Sequence, residues 1–387
     1  VHHKEYYEVI EYEQKVYAKK DEEGNEELVK KAMPTAVIPG SFATPSLLAS
    51  IIDKKFTQSL PLYRQEQSLE RNGITLSRQT MANWMIKLHD LYFDVFVEHM
   101  HKQLLKSEYL NVDETTLEVL ELLKTEGRQN CYMWLYKTGR SEDKQMAIYR
   151  FENDRKHERV KNYLNGYTNV VQSDGYAAYQ NLEGVTNMGC FAHLRRGFVE
   201  AIEAAPKGTD VKNSVTQRLV NLLDELFRLE KVYNKKYKND YDQILKARLK
   251  DSLPVYNEFY EKVKEIYPYA VKKTHLYESL TYAINNEKYL SYFLEDGRVE
   301  LSNNVAERCI KDFVIGRSNF LFSNSVLGAQ ASGSAYSIVV SAKLNNLKPY
   351  DYIEYILNQM KGQKLTDELL EAIMPWSTTL PKELYKK

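Results

Sequence analysis

Three acidic residues stand where packing alone does not explain an acid. Asp113 lies inside an alternating, strand-like run, LNVDETT, where a carboxylate weakens the strand and is costly to bury unpaired. Asp174 closes an apolar run in NVVQSDGYAAY and is followed by Gly175, which lets the backbone turn and a ligand come close. Glu307 follows Ser302, Asn303 and Asn304, residue types that begin a helix. Hard divalent ions take carboxylates as ligands, and Mg²⁺ needs only a few of them beside water and substrate phosphate. Two such ions about 3.5–4 Å apart supply the nucleophile and the stabilised leaving oxygen that phosphodiester cleavage requires. Each acid alone also reads as a turn-proximal or salt-bridged residue. What joins them is the order of the elements that carry them.

Those elements can be read along the chain. Residues 1–33 are acidic with irregular apolar spacing, which fits short strands or a frayed remnant, and MPTAVIPGSFATP reads as a linker with a boundary near residue 40. Ser46 is a candidate cap for LLASIIDKKF, Pro61 opens LYRQEQSLERNG, Gly73 stops it, and Ser77 caps SRQTMANWMIKLHDLYFDVF. A helix, a turn at Asn72 and Gly73, and a second capped helix make a helix-turn-helix candidate that offers Arg78, Gln79, Thr80 and Asn83 to a DNA groove. An ordinary helical bundle is the alternative. From Tyr109 the period becomes two, predicting strands over 109–123, 130–137 and 146–151 as an antiparallel meander. Helix, strand, short helix, strand and helix follow, so that the first and fourth strands become neighbours and Asp113 and Asp174 converge. Residues 198–295 hold helical stretches without a convincing strand and read as an insertion. A helix from about Asn303 to Phe313, ending before Gly316, and two tail helices separated by Asn345, Asn346 and Pro349 complete the pattern.

Five blocks carry a resemblance to a known family. VIPGSFATPSLLASIIDKKFTQSLPLYRQEQ, YLNVDETTL, VVQSDGYAAYQNL, GCFAHLRRGFVEA and SNNVAERCIKDFVIGRSNFLFSNSVLGAQASGSAYSIVVSAKLNNLKPYDYIEYIL resemble, in order, transposases of the insertion-sequence-66 family. The resemblance covers nearly the whole chain. It implies an α/β, ribonuclease-H-like mixed sheet core with a helical insertion and an N-terminal helix-turn-helix-like region. It makes Asp113, Asp174 and Glu307 the acids of a DDE triad holding two Mg²⁺ (or Mn²⁺) ions, and implies hydrolysis at transposon ends and transfer of the freed 3′-hydroxyl to target DNA. The expected division is 1–40 as a zinc-segment remnant and linker, 41–105 as the DNA-binding region, 106–197 with 298–345 as the catalytic core, 198–297 as the insertion and 346–387 as the tail. Family members carry a small zinc-binding segment ahead of the linker. Here Lys19 and Glu22 stand where its cysteines would be, so no structural zinc is expected, and His2 and His3 are at most ligand remnants.

Around the acids, Arg308 and Lys311 could meet a phosphate or form an ordinary helix ion pair, and Arg317 joins the DNA-contact candidates. Cys190 and His193 form a C-x-x-H, like a motif that follows the second acid in DDE enzymes with helical insertions. One such pair does not make a tetrahedral zinc site. Packing and hydrogen bonding are the favoured role, with Arg195 and Arg196 as phosphate contacts. Tyr176 and Tyr179 could pack on DNA, though such aromatics are more often core. With 53 basic and 53 acidic residues the net charge is zero, which excludes a uniformly basic DNA-coating protein and leaves local patches. The absence of a long apolar run excludes a membrane helix, and three scattered cysteines fit a reducing cytoplasm. An upstream segment is expected, because the chain opens on Val1 in what reads as mid-domain sequence. The expected partners are double-stranded DNA at transposon ends and target, a second copy of the chain or more, and accessory proteins. A catalytically silent DNA-binding relative and a nuclease that cuts without joining are the competing readings.

Overall fold

The computed structural model describes residues 6–20, 26–179 and 181–386. Strands β1 (Val16–Lys20) and β2 (Glu26–Lys30) pair antiparallel and are exposed along their whole length. Lys19 lies in β1, whereas Glu22, His2 and His3 lie outside the described residues. The proline-rich stretch that follows is not a free linker. Val37 and Ile38, between its prolines, are buried, and the Tyr92 hydroxyl donates to the Val37 carbonyl at 2.8 Å.

Helix α1 (Pro45–Ile52) starts two residues earlier than Ser46 would place it. Thr44 accepts from the Leu47 N–H at 3.2 Å, and Pro45, with no N–H to satisfy, takes the first helical position. Helix α2 (Leu62–Arg71) follows Pro61, and Gly73 at φ +79° turns the chain. Ser77 caps α3 (Arg78–Leu88) by accepting from the Thr80 N–H at 3.1 Å. A π turn at His89–Phe93 carries α3 into α4 (Asp94–Leu104).

The sheet is built from β3 (Tyr109–Val119), β4 (Cys131–Thr138), β5 (Ala147–Glu152), β6 (Val170–Gln172) and β7 (Thr186–Met188). It runs β5-β4-β3-β6-β7, antiparallel from β5 to β3 and parallel from β3 to β7. The first strand stops at Val119, four residues short of expectation, because Leu120–Glu126 form helix α5, which buries Leu122 and ends on Gly127 at φ +65°. Helix α6 (His157–Tyr163) separates β5 from β6, a single 3₁₀ turn stands at Ala177–Tyr179, and α7 (Phe191–Glu203) follows β7.

Four helices come next: α8 (Val215–Tyr237), α9 (Tyr241–Ala247), α10 (Leu253–Ile266) and α11 (His275–Leu290). Among the described residues no strand lies between 189 and 321. Helices α7, α8, α10 and α11 enclose their own apolar cluster, which also takes in Tyr109, Val170 and Met188 from the sheet. The buried Arg248 closes this part: it pairs with Glu230 at 2.6 Å and donates to the carbonyls of Phe293, Asp296 and Val299.

Helix α12 (Asn304–Phe320) runs through Gly316 instead of stopping before it. A Cβ at Gly316 would stand 2.0 Å from the Tyr336 hydroxyl, so this glycine serves close helix packing and not termination. The short strand β8 (Phe322–Ser323) adds to the far end of β3 and completes a six-stranded mixed sheet. Helix α13 (Val326–Leu344) lies against β5, and α14 (Pro349–Met360) and α15 (Asp367–Ile373) finish the chain. One large core joins the N-terminal helices, the sheet and the C-terminal helices. No helix is long and apolar enough to cross a membrane.

Candidate active site

The register between β3 and β6 decides where the first two acids go. Asn111 pairs in parallel with Gln172, the last residue of β6. Side chains two residues apart leave the same face of an extended chain. Asp113 and Asp174 each lie two residues past that pair, one still in β3 and one in the turn, so they meet just beyond the end of the β3–β6 ladder. Gly175 takes φ +89° there, and the Asp174 carboxylate holds the turn by accepting from the Tyr176 N–H at 2.8 Å. The insertion reaches this turn through α11, whose Tyr282 hydroxyl donates to the Asp174 carbonyl at 2.7 Å.

Glu307 arrives on the first turn of α12, and the start of that helix is fastened to β3. Asn303 is fully buried and does not cap its helix. Its side chain instead donates to the Val112 carbonyl at 2.8 Å and accepts from Asn111 at 3.0 Å. Asn111 also donates to Gln172 at 2.9 Å, and Gln172 donates to the carbonyls of Gly189 and Glu300. A buried amide network therefore ties together the two strands and the helix that carry the acids.

The electrostatics follow from this crowding. Burial first, and then Glu114, Asp174 and Glu307, push the Asp113 carboxyl up to about 8, against the Glu114 N–H that favours its charged form. Glu114, on the next residue, is raised by burial and partly compensated by Tyr179 and Arg155, and Arg155 donates to it at 2.5 Å while lying over the Tyr176 ring. Glu307 faces His193 at 3.8 Å and Arg196 at 3.6 Å, and its Oε1 is buried without a hydrogen-bond partner. Burial holds the His193 imidazole below its ordinary value, opposed by Asp174 and Glu307.

The profile of the Transposase IS66 family matches residues 40–331, three quarters of the chain and all three acids. The chain belongs to the IS66 transposase family. Relatives of this family member include three uncharacterized proteins of Sinorhizobium fredii (strain NBRC 101917 / NGR234). They are y4qI, 29% identical over 92% of the chain, y4hP, 27% over 89%, and y4jD, 28% over 89%. The chain spans 66%, 64% and 68% of their respective lengths. Among solved structures, the Drosophila P element transposase strand transfer complex aligns with 77% of this chain and 92% of its own, at a TM-score of 0.40 and 13% identity.

The other sequence-selected residues of this IS66-family chain fall into four groups. Arg196 stands at Glu307, and Arg195, one position back, is engaged by Asp224 at 2.5 Å. Arg308 and Lys311 are exposed on α12, while Arg317 donates to the hydroxyls of Thr115 and Thr116 and so clamps α12 to β3. Arg78, Gln79 and Asn83 form an exposed row on α3, with Gln79 donating to Asn83 at 3.0 Å, and Thr80 is half-buried beside the Ser77 cap. This row is not brought to the acids: α3 packs on α13 instead. Tyr179 is core and bonds Glu114, whereas Tyr176 remains half-buried. Sequence reasoning passed over Glu114, Arg155, Asn111, Gln172 and Asn303. The doubled acid in DETT and the polar residues inside apolar strands were the available signals.

Proposed function

We propose that this chain is the catalytic part of a transposase that hydrolyses phosphodiesters at transposon ends and transfers the freed 3′-hydroxyl to target DNA. In this reading the six-stranded sheet is a ribonuclease-H-like core, and Asp113, Asp174 and Glu307 are its metal ligands. The observation that carries it is the convergence of three carboxylates from β3, the β6 turn and α12 at one strand end. The residues fit divalent cations. Asp113 is crowded by acids and pushed up to about 8, and the Glu307 Oε1 is buried without a hydrogen-bond partner although Arg196 stands 3.6 Å from its other oxygen, so a bound cation would relieve both. Mg²⁺ or Mn²⁺ ions held there would activate the attacking oxygen and stabilise the leaving one.

The protein's own groups do the positioning. The Asn111, Gln172 and Asn303 amides hold the three carboxylates at a fixed separation, and preorganised ligands need no rearrangement during reaction. Arg196, half-exposed beside Glu307, is placed to take a non-bridging phosphate oxygen, and Arg308 and Lys311 extend the positive edge along α12. The exposed row of Arg78, Gln79 and Asn83 on the second helix of a helix-turn-helix-like pair is the surface for duplex recognition. Pairing of two ends calls for at least two copies on DNA, and accessory proteins fit the same task.

The test is cleavage and strand transfer on the element's own inverted repeats with Mg²⁺ or Mn²⁺. Asp113→Asn and Glu307→Gln should each lower cleavage by more than about 100-fold, beyond what second-sphere changes cost a metal site. Retained Mg²⁺-dependent cleavage in either variant would overturn the assignment.

A further inference from the structure

Where β7 turns into α7, a sulfur, a nitrogen and an oxygen donor come together. Cys190 Sγ, a ring nitrogen of His193 and a carboxylate oxygen of Glu307 all lie within 4.8 Å of one another. His193 Nδ1 and Glu307 Oε1 are both buried with no hydrogen-bond partner, and they stand 3.8 Å apart. That distance is too long for a hydrogen bond. Two facing polar atoms left unpaired in this way are costly, and natural proteins rarely keep them.

The spacing has another explanation. Ligands bound at about 2.0–2.3 Å to a tetrahedral Zn²⁺ lie about 3.4 Å apart for nitrogen and oxygen, and about 3.6 Å apart when one is sulfur. The His193–Glu307 gap of 3.8 Å is about 0.4 Å wider than that, and the Cys190 sulfur, within 4.8 Å of both donors, closes on the ion together with them. The donor chemistry selects the same ion. Thiolate and imidazole suit zinc-like borderline ions, whereas Mg²⁺ takes oxygen. The C-x-x-H pair lacked further ligands in the sequence because the third donor comes from more than a hundred residues downstream, on α12.

We propose that Cys190, His193 and Glu307 form a three-ligand site for a zinc-class transition ion, with the fourth position open to water. Binding releases the Cys190 thiol proton to solvent, and the Asn303 N–H, 3.2 Å from Sγ, helps hold the resulting thiolate. The site goes beyond the cleavage reading and does not rest on it. It does share Glu307, so an ion seated here competes for the carboxylate assigned to Mg²⁺.

The experiment is a Co²⁺ titration of tag-free, chelator-stripped protein without DNA, followed by absorbance. Tetrahedral Co²⁺ bands with a thiolate charge-transfer band are expected, and Zn²⁺ should erase both. Cys190→Ser should remove the charge-transfer band, and His193→Asn should weaken Co²⁺ binding by more than about tenfold, since a direct ligand is lost. A folded wild-type chain that gives no thiolate band overturns the site, and that result needs no variant to fold. So does a band that survives in Cys190→Ser, which would then come from Cys131 or Cys309, or an unchanged affinity in His193→Asn. Because no step uses DNA, these outcomes stand apart from success or failure of the cleavage assay.

Discussion

Asn303 heads α12 yet spends its side chain on the neighbouring strand. Replacing it with alanine would leave the Val112 carbonyl without its donor and one Asn111 N–H without its acceptor, while the other still reaches Gln172, all in a buried interior. Each orphaned group costs about 1–3 kcal/mol, so Asn303→Ala should melt several degrees lower and cleave more slowly, since Glu307 loses its anchor to β3. An unchanged melting temperature would show that the network is dispensable. The same residue shows what the sequence discloses and what it hides. Asp113 and Asp174 stand out because an acid inside or at the end of an apolar strand is anomalous on sight. Asn303 was legible only as a helix-start residue, since its type suits a cap, and its actual partners lie 191 and 192 positions away in the chain. Long-range pairing of neutral amides leaves no periodic trace. The Gly316 misreading has the same origin: glycine near a helix end usually stops it, and only the Tyr336 hydroxyl, on another helix, explains why this one does not.

At the scale of elements, α15 docks on α4 through two carboxylates, Asp367 and Glu371, which face the two ring nitrogens of His99 at 3.3 and 2.9 Å. Glu371 accepts from His99 at 2.9 Å, Lys144 at 2.9 Å and Trp376 at 3.3 Å. Burial opposes its ionisation, but these hydrogen bonds outweigh it and hold the carboxyl at about 2 instead of 4.5. A carboxylate depressed by folding contributes its stability above the unfolded value and loses it as pH falls toward the folded one. The melting-temperature gap between wild type and Glu371→Gln should therefore be full above pH 5 and close progressively between about pH 4.5 and 2. A gap independent of pH would refute this account. Helix α13 gives a second prediction. Ser337 and Ser341 accept from the Tyr149 and Ala147 N–H groups of β5 at 2.8 and 3.0 Å, and a Cβ at Gly333 would stand 2.7 Å from the Tyr149 carbonyl oxygen. Gly333→Ala must push backbone against backbone and should cost about 1–3 kcal/mol in chemical denaturation, despite alanine's better helix propensity. A stabilised variant would show that the approach is looser. The glycine and serines of that run weaken its intrinsic helix propensity, so the helix there is set by packing on β5 more than by local preference. The meander and the β3–β6 neighbourhood were legible because strand periodicity and connection lengths are local.

At the scale of the molecule, the N-terminal helices share one core with the sheet and the C-terminal helices. Excising residues 45–100 to test end recognition would strip that core and report on folding instead. The recognition surface proposed above is better tested by Arg78→Ala, Gln79→Ala and Asn83→Ala together, all exposed on α3. Binding measured across salt concentrations should lose its preference for the inverted repeat, at about 1–3 kcal/mol per base contact removed, while weak salt-sensitive binding persists. Unaltered preference would move recognition elsewhere. The covering of β5 by α13 also has a bearing on handling the protein. With that border of the main sheet blocked, strand addition from another molecule has no foothold there. The β1–β2 pair is the reverse case: among the described residues its two strands pair only with each other, and Tyr17, Leu28 and Val29 stand in solvent. Concentrated preparations should therefore begin to clump through this appendage, and trimming the chain to about residue 33 is the simplest route to a sample that stays dispersed.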